Sequence, residues 1–306
     1  MKRFSHEAMA TTFEILVVHE DERYARQAAA AAFDEVDRLE RDLSRFREDS
    51  DITRINNLPA HEPLRIGLDA FQCLQAGANM YAQTNGAFDV TVGPLVKCWR
   101  AEDGSPRTPS RQELEEARLH VGMNLLKMDE QEHTVQLSVS PVHVDLGGIG
   151  KGYAVDRVAE LLGEWGIDTA LISGGYSSVL ATGAPRGTKG WPLTLSDPAD
   201  HTHVLARPGL RAGALSGSGV QKGGHIINPR TGEPAQGRRA AWSAAPDATT
   251  ADALSTAFMI MDVDEIERYC AAHPDARALI ILQKESREQK DTIQHFGRWG
   301  KGVLAE

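Results

Sequence analysis

The sequence predicts an α+β fold, and three observations carry that prediction. Short apolar runs with strand-like alternation are interspersed with helical stretches, but without the regular alternation of a doubly wound sheet. There is no internal repeat and no low-complexity segment. The chain has 306 residues, 41% hydrophobic and 25% charged, enough to bury a large core. No composition shift marks a linker, so the expectation is a single domain over 1–306. Subdomains within it would have a boundary that the sequence does not show.

Taken in order, residues 11–18 alternate as a first strand. A long helix follows over about 22–46, with Phe33, Val36, Leu39 and Leu43 on one face. Residues 47–63 read as irregular. A second helix over 68–84 is stopped by Asn85-Gly86. Residues 87–94 suggest a short strand and a turn, 100–109 a polar loop, and 112–119 a short helix. Strands are expected at 125–128, 134–139 and 142–146. A glycine-rich turn then opens a helix from about Tyr153. Further strands are expected at 169–173, 177–181, 192–195, 203–206 and 211–215. Ser216-Gly217-Ser218-Gly219 reads as a turn and 225–234 as a compact loop. Helices at 250–261 and 263–273 and strands at 278–282 and 292–296 complete the chain.

A net charge of −10 argues against non-specific binding to nucleic acid or to an anionic membrane. No apolar run approaches membrane-helix length, and the first residues lack the apolar core of a signal peptide. The expectation is a cytoplasmic chain with no stable membrane insertion. Cys73, Cys98 and Cys270 are far apart and lack metal-ligand spacing, which suits reduced thiols.

Several stretches carry groups with chemical potential. From His143 to Asp156, Val142, Val144 and Leu146 alternate with His143 and Asp145. Four glycines then surround Lys151. A glycine-rich turn opening a helix suits a phosphate, yet the spacing matches neither of the two common phosphate-loop patterns. A tight strand-to-helix connection without a ligand explains the stretch equally. Asp252 and Thr256, four apart, share one helix face. A carboxylate and a hydroxyl there suit Mg²⁺ or Ca²⁺, while an acidic residue early in a helix also answers the helix dipole. His225 opens the loop His-Ile-Ile-Asn-Pro-Arg-Thr-Gly and titrates in the right range for acid–base work, or is structural. Asp89 and Asp145 sit among apolar neighbours, where a carboxylate needs a partner: a ligand hydroxyl or base, or a backbone turn. The glycines at 174, 175, 217 and 219 permit close approach of a flat or phosphorylated ligand, as do ordinary turns.

In this order the motifs resemble the ApbE family of FAD:protein FMN transferases. The resemblance rests on Met9-Ala10-Thr11-Thr12-Phe13, Ser50 to Asn56, Gly86 to Leu95 with Trp99, and Asp145 to Asp156. Ser173-Gly174-Gly175, Ser216-Gly217, His225 to Gly232 and Ala251 to Thr256 complete it, so that it spans nearly the whole chain.

The resemblance implies two intimately packed α/β subdomains with mixed or antiparallel sheets, and a site for FAD and metal between them. It implies FAD as substrate, Mg²⁺ as cofactor, and transfer of FMN to a threonine of an acceptor flavoprotein with release of AMP. It further implies Asp252, Thr256 and the Gly148 carbonyl as metal ligands. Met9, Phe46, Ala87, Phe88, Asp89, Asp145 and Lys151 would line the FAD site, and His225 would be the general base there or orient the threonine hydroxyl, with Asp252 sharing the catalytic role. Two residues depart from the family pattern: Phe46 stands where Tyr is common, and Asn228 where Asp is frequent. The first bears on the balance between transfer to protein and hydrolysis of FAD to FMN and AMP. A flavin-binding protein without metal chemistry is the non-enzymatic alternative.

Overall fold

The computed structural model describes residues 1–101, 103–220, 226–283, 292–300 and 302–304. Two strands open it, β1 (Lys2–Ala8) and β2 (Thr11–Val17), joined by the two-residue turn Met9-Ala10 with φ of 50° and 57°. α1 (Glu22–Leu43) buries Val36, Leu39 and Leu43. Then come α2 (Asp51–Asn56), β3 (Pro63–Arg65), α3 (Leu68–Gln83), α4 (Gly93–Cys98) and α5 (Arg111–Arg118). β4 (Leu126–Asp129), β5 (Thr134–Leu137), α6 (Gly150–Glu164), β6 (Ala170–Gly174) and β7 (Ser178–Ala181) follow. β8 (Trp191–Pro192), β9 (Leu195–Asp197), β10 (Asp200–Ala206), β11 (Gly209–Leu210), β12 (Gly213–Gly219) and β13 (Arg238–Ala245) come next. The last elements are α7 (Ala248–Ala257), α8 (Val263–Ala272), β14 (Arg277–Leu282) and β15 (Ile293–Phe296).

Two compact units are distinguished within the chain. The first comprises Met1–Asp37, Lys151–Gln221 and Gly237–Glu306; the second comprises Arg38–Gly150 and Lys222–Gln236. The first unit is built on an eight-stranded sheet in the order β1-β2-β6-β7-β12-β13-β14-β15, antiparallel at every pairing. The second holds the three-stranded antiparallel sheet β3-β5-β4 with α2 to α5. Segregated helices and antiparallel sheets make this an α+β fold.

Four local expectations are corrected. Residues 47–63 contain α2, because Ser50 accepts the Thr53 N–H at 3.0 Å as an N-cap. Residues 87–94 and 142–146 form no ladder strands; they meet through an isolated bridge, Val92 to His143. Ser216 to Gly219 is not a turn but the end of β12, a central strand. Gly217 is required there because a side chain would run into the indole of Trp242 across the pair. β13 is absent from the sequence reading altogether.

Small residues on this sheet let α7 lie close. Ser178, Ser216 and Ser243 stand in register across β7, β12 and β13. The Ser243 hydroxyl donates to the Ala251 carbonyl of α7. The three cysteines are free, and burial pushes Cys270 up to about 11. No helix among the described residues is long and apolar enough to cross a membrane.

In the second unit the extended segment before Gly147 is held by backbone bonds with Val90 and Gly93 and by the side chain of Asn56. The Asn56 amide donates to the Val144 carbonyl at 3.1 Å and accepts the Val144 N–H at 2.6 Å. Val144 is itself buried, so no water replaces either bond. Asn56→Ala should cost about 2–3 kcal/mol in urea unfolding. A loss below about 0.5 kcal/mol would show that the backbone bonds with Val90 and Gly93, together with apolar packing, hold the segment without Asn56.

Candidate active site

In the first unit the site is made where the starts of α6 and α7 meet. The Gly152 N–H, in the first turn of α6, donates to Asp252 Oδ2 at 3.1 Å. Lys151 Nζ lies 3.6 Å from the same oxygen. A β-carbon at Gly152 would stand 2.8 Å from Asp252 Cβ and collide with the Ala248 carbonyl, so only glycine permits this approach. α6 thus begins three residues earlier than expected, and Lys151 and Gly152 belong to its first turn rather than to a loop.

Asp252 is buried, at 3% exposure. One turn on, the Thr256 hydroxyl lies 3.3 Å from Ser218 Oγ, which is 2.8 Å from Ser255 Oγ. The donor set is therefore one carboxylate with several hydroxyls. All are hard oxygens, the ligand type of Mg²⁺ and not of zinc. Among the described residues no three His, Cys, Asp or Glu side chains gather as a metal site. The residues present fit a cation that takes most of its ligands from water or phosphate.

The N-terminus of α7 is held by two further carboxylates. Asp247 accepts the Thr250 N–H at 2.6 Å. Asp156 of α6 accepts the Ala248 and Thr249 N–H groups, each at 2.8 Å, and the Thr249 hydroxyl. Burial pushes Asp156 up to about 6 despite these bonds.

In the second unit Asp145 accepts the Gly147 N–H at 2.9 Å and faces Arg45 Nε at 3.3 Å. Asp89 Oδ1 accepts both the N–H and the hydroxyl of Thr91, at 2.8 and 2.6 Å. Thr91 Oγ1 in turn accepts the Gly122 N–H at 2.7 Å. Burial raises Asp89 to about 6. The loop beyond His225 is fixed by Arg230, which donates to the Asn85 and Thr84 carbonyls at 3.0 and 2.7 Å. Trp99 Nε1 donates to the Gly232 carbonyl at 2.7 Å.

The ApbE family model matches residues 9–280. The chain belongs to the ApbE family. It is 27% identical over 292 residues to the FAD:protein FMN transferase of Klebsiella pneumoniae, covering 90% of this chain and 83% of that protein. It is 31% identical over 245 residues to the protein of that name from Vibrio cholerae, covering 74% and 72%. Its fold is similar to the ApbE protein of Thermotoga maritima, with a TM-score of 0.84 at 29% identity over 96% of each chain. The apo flavinyl transferase ApbE of Pseudomonas stutzeri superposes at 0.85 and 23% identity, covering 96% of this chain and 94% of that one, which speaks for the fold alone.

Of the residues the ApbE resemblance singled out, the structure brings Lys151, Asp252 and Thr256 together in the first unit. Met9 sits there at the β1–β2 turn. Asp89, Asp145, Gly148, Ala87, Phe88 and Phe46 belong to the second unit. Ala87 and Phe88 are buried, while Phe46 is 82% exposed beneath the Arg45 guanidinium. His225 lies outside the described residues. Ser218 and Asp156, which flank the Asp252 helix, and Ser255 on it are not singled out by the sequence. Strand alternation of Ser216 and Ser218 was the one available signal, and it was hidden by their glycines.

Asp89 gives a prediction with a definite sign. Its folded value, about 6, lies above the ordinary 3.8, so the fold retains the proton more firmly than the unfolded chain. The stability this confers is full below about pH 4 and is lost as pH rises through 6. Asp89→Asn keeps Oδ1 for Thr91 and never ionises. Thermal and urea unfolding should find the variant equal to the parent at pH 4. At pH 7 it should be the more stable, by up to about 3 kcal/mol. Parallel stability curves would contradict the burial argument.

Proposed function

We propose that this chain transfers FMN from FAD to a threonine hydroxyl of an acceptor flavoprotein and releases AMP. The observation that carries the reading is the carboxylate–hydroxyl pair of buried Asp252 and half-buried Thr256, in a member of the ApbE family whose curated relatives bear the name FAD:protein FMN transferase. Asp252 and Thr256 would hold Mg²⁺, with the Gly148 carbonyl as a third ligand by resemblance. Bound there, the ion would neutralise charge on the pyrophosphate oxygens.

The threonine oxygen attacks the FMN phosphorus, and a new phosphoester bond forms. The bond from that phosphorus to the bridging oxygen breaks, and the oxygen leaves with its electron pair on AMP. His225 is our choice to accept the threonine proton, since a threonine hydroxyl is a poor nucleophile until that proton departs. The chain's remaining work is positioning, which suits phosphoryl chemistry. Gly152 and Asp156 fix α7, and with it the spacing of Asp252 to Thr256. Met9, Phe46, Ala87, Phe88, Asp89, Asp145 and Lys151 are assigned to the FAD. Hydrolysis of FAD to FMN and AMP is the second reading, favoured by Phe46, which brings no hydroxyl to its exposed position.

Asp252→Asn keeps the side-chain volume and an oxygen for the Gly152 N–H, but removes the charge. Incubated with FAD, Mg²⁺ and an acceptor bearing the target threonine, the parent should add FMN to that threonine, read by mass spectrometry. The variant should be slower by about a hundredfold or more, the scale that several kcal/mol of lost charge stabilisation implies. Undiminished transfer by the variant would remove the metal assignment. Full-speed release of free FMN without acceptor would replace transferase by hydrolase.

A further inference from the structure

Arg45, Lys97 and His143 of the second unit have no role in the reading so far. His143 and Asp145 lie two apart on an extended segment whose residues Val142, Val144 and Leu146 are buried, so both project to the opposite face. Lys97 of α4 places Nζ 2.7 Å from His143 Nε2. Arg45, two residues beyond α1, faces Asp145 at 3.3 Å and lies 4.4 Å over the Phe46 ring. An ammonium only donates, so His143 Nε2 accepts and the imidazole is neutral, with its proton on Nδ1. Burial first, then Lys97 and Arg45, push His143 below its ordinary value. Lys97 is lowered by burial and then by Arg45.

The charge count does not close. Two cations stand against one carboxylate, Asp145. Among the described residues neither Arg45 nor Lys97 has another acidic partner. Three elements distant in sequence thus gather positive charge at one spot of a chain with net charge −10. Lys97 and Arg45 are exposed enough to be reached, and their donors remain in part unused.

We propose that Arg45, Lys97 and His143 form an anion subsite that takes the phosphate of the adenylate half of FAD and retains it as AMP. A phosphate monoester matches the donors: a planar guanidinium, an ammonium, and an imidazole that becomes a third cation when an anion arrives. The leaving oxygen gains negative charge as its bond to the FMN phosphorus breaks. Fixed cations at that phosphate favour the transition state over bound FAD. The choice of adenylate rests on the FAD reading above; the anion subsite itself does not.

The test is direct binding, without turnover. AMP, adenosine and inorganic phosphate are titrated calorimetrically into the full chain and into Arg45→Met, Lys97→Met and Lys97→Arg, with melting curves to check the fold. AMP should bind the parent well and adenosine poorly. Each Met variant should weaken AMP by about tenfold or more, and Lys97→Arg should retain most of it. In the parent, the His143 imidazole followed by NMR should titrate at higher pH with AMP bound. Unchanged AMP affinity in both Met variants, or a His143 titration that AMP does not move, overturns the subsite. Inorganic phosphate binding as tightly as AMP overturns the adenylate assignment. Failure of the FAD reading would appear separately, as absence of FMN transfer by a parent chain that still binds AMP.

Discussion

Everything in the first unit's site depends on the closeness of α6 to α7 at Gly152. One hydrogen atom in place of a side chain lets a backbone N–H reach Asp252 Oδ2. The same approach brings Asp156 under the first turn of α7, where it accepts from Ala248 and Thr249. A buried carboxylate is costly unless satisfied. Here one oxygen of Asp252 is satisfied by the backbone, and Lys151 stands 3.6 Å from it. The positive N-terminal end of α6 adds to that field. The arrangement keeps a charged group inside the fold and aims it.

The sheet beneath α7 is shaped for the same purpose. Large β-branched residues would lift the helix away. β12 and β13 instead carry Ala, Ser and Gly on most positions, and Ser243 bonds directly to the helix backbone. The result is a helix held from below by hydroxyls, from one side by α6, and at its N-terminus by Asp247 and Asp156. Ser218 then stands at hydrogen-bond distance from both Ser255 and Thr256. Catalysis that works through positioning and charge needs such rigidity more than it needs reactive side chains.

The compositional choice that serves the site is also what hid the fold from its sequence. β12 and β13 lack the Val and Ile by which strands are recognised, with Trp242 their one aromatic residue, and the glycines and serines of β12 read as a turn. β1 alternates, but between polar and half-buried residues, and its partner β2 decides it. Residues 87–94 look like a strand from their apolar content, yet Asp89 turns the backbone back on Thr91 before a ladder can form. The long amphipathic helices and the α+β class were legible, because 3.6-residue periodicity is local. Of the site, Asp252 and Thr256 were legible as an i, i+4 pair. Ser218, Asp156 and the Arg45–Lys97–His143 group were not, since each gains meaning only from a partner far away in sequence.

The central claim is that the Asp252 helix holds the metal. Crystals grown with Mn²⁺, with anomalous scattering collected above the manganese edge, test it most directly. The account predicts one ion with an Asp252 carboxylate oxygen and Thr256 Oγ1 both within about 2.5 Å. An ion bound elsewhere in crystals of active protein, with Asp252 still paired only to Gly152 and Lys151, would contradict it.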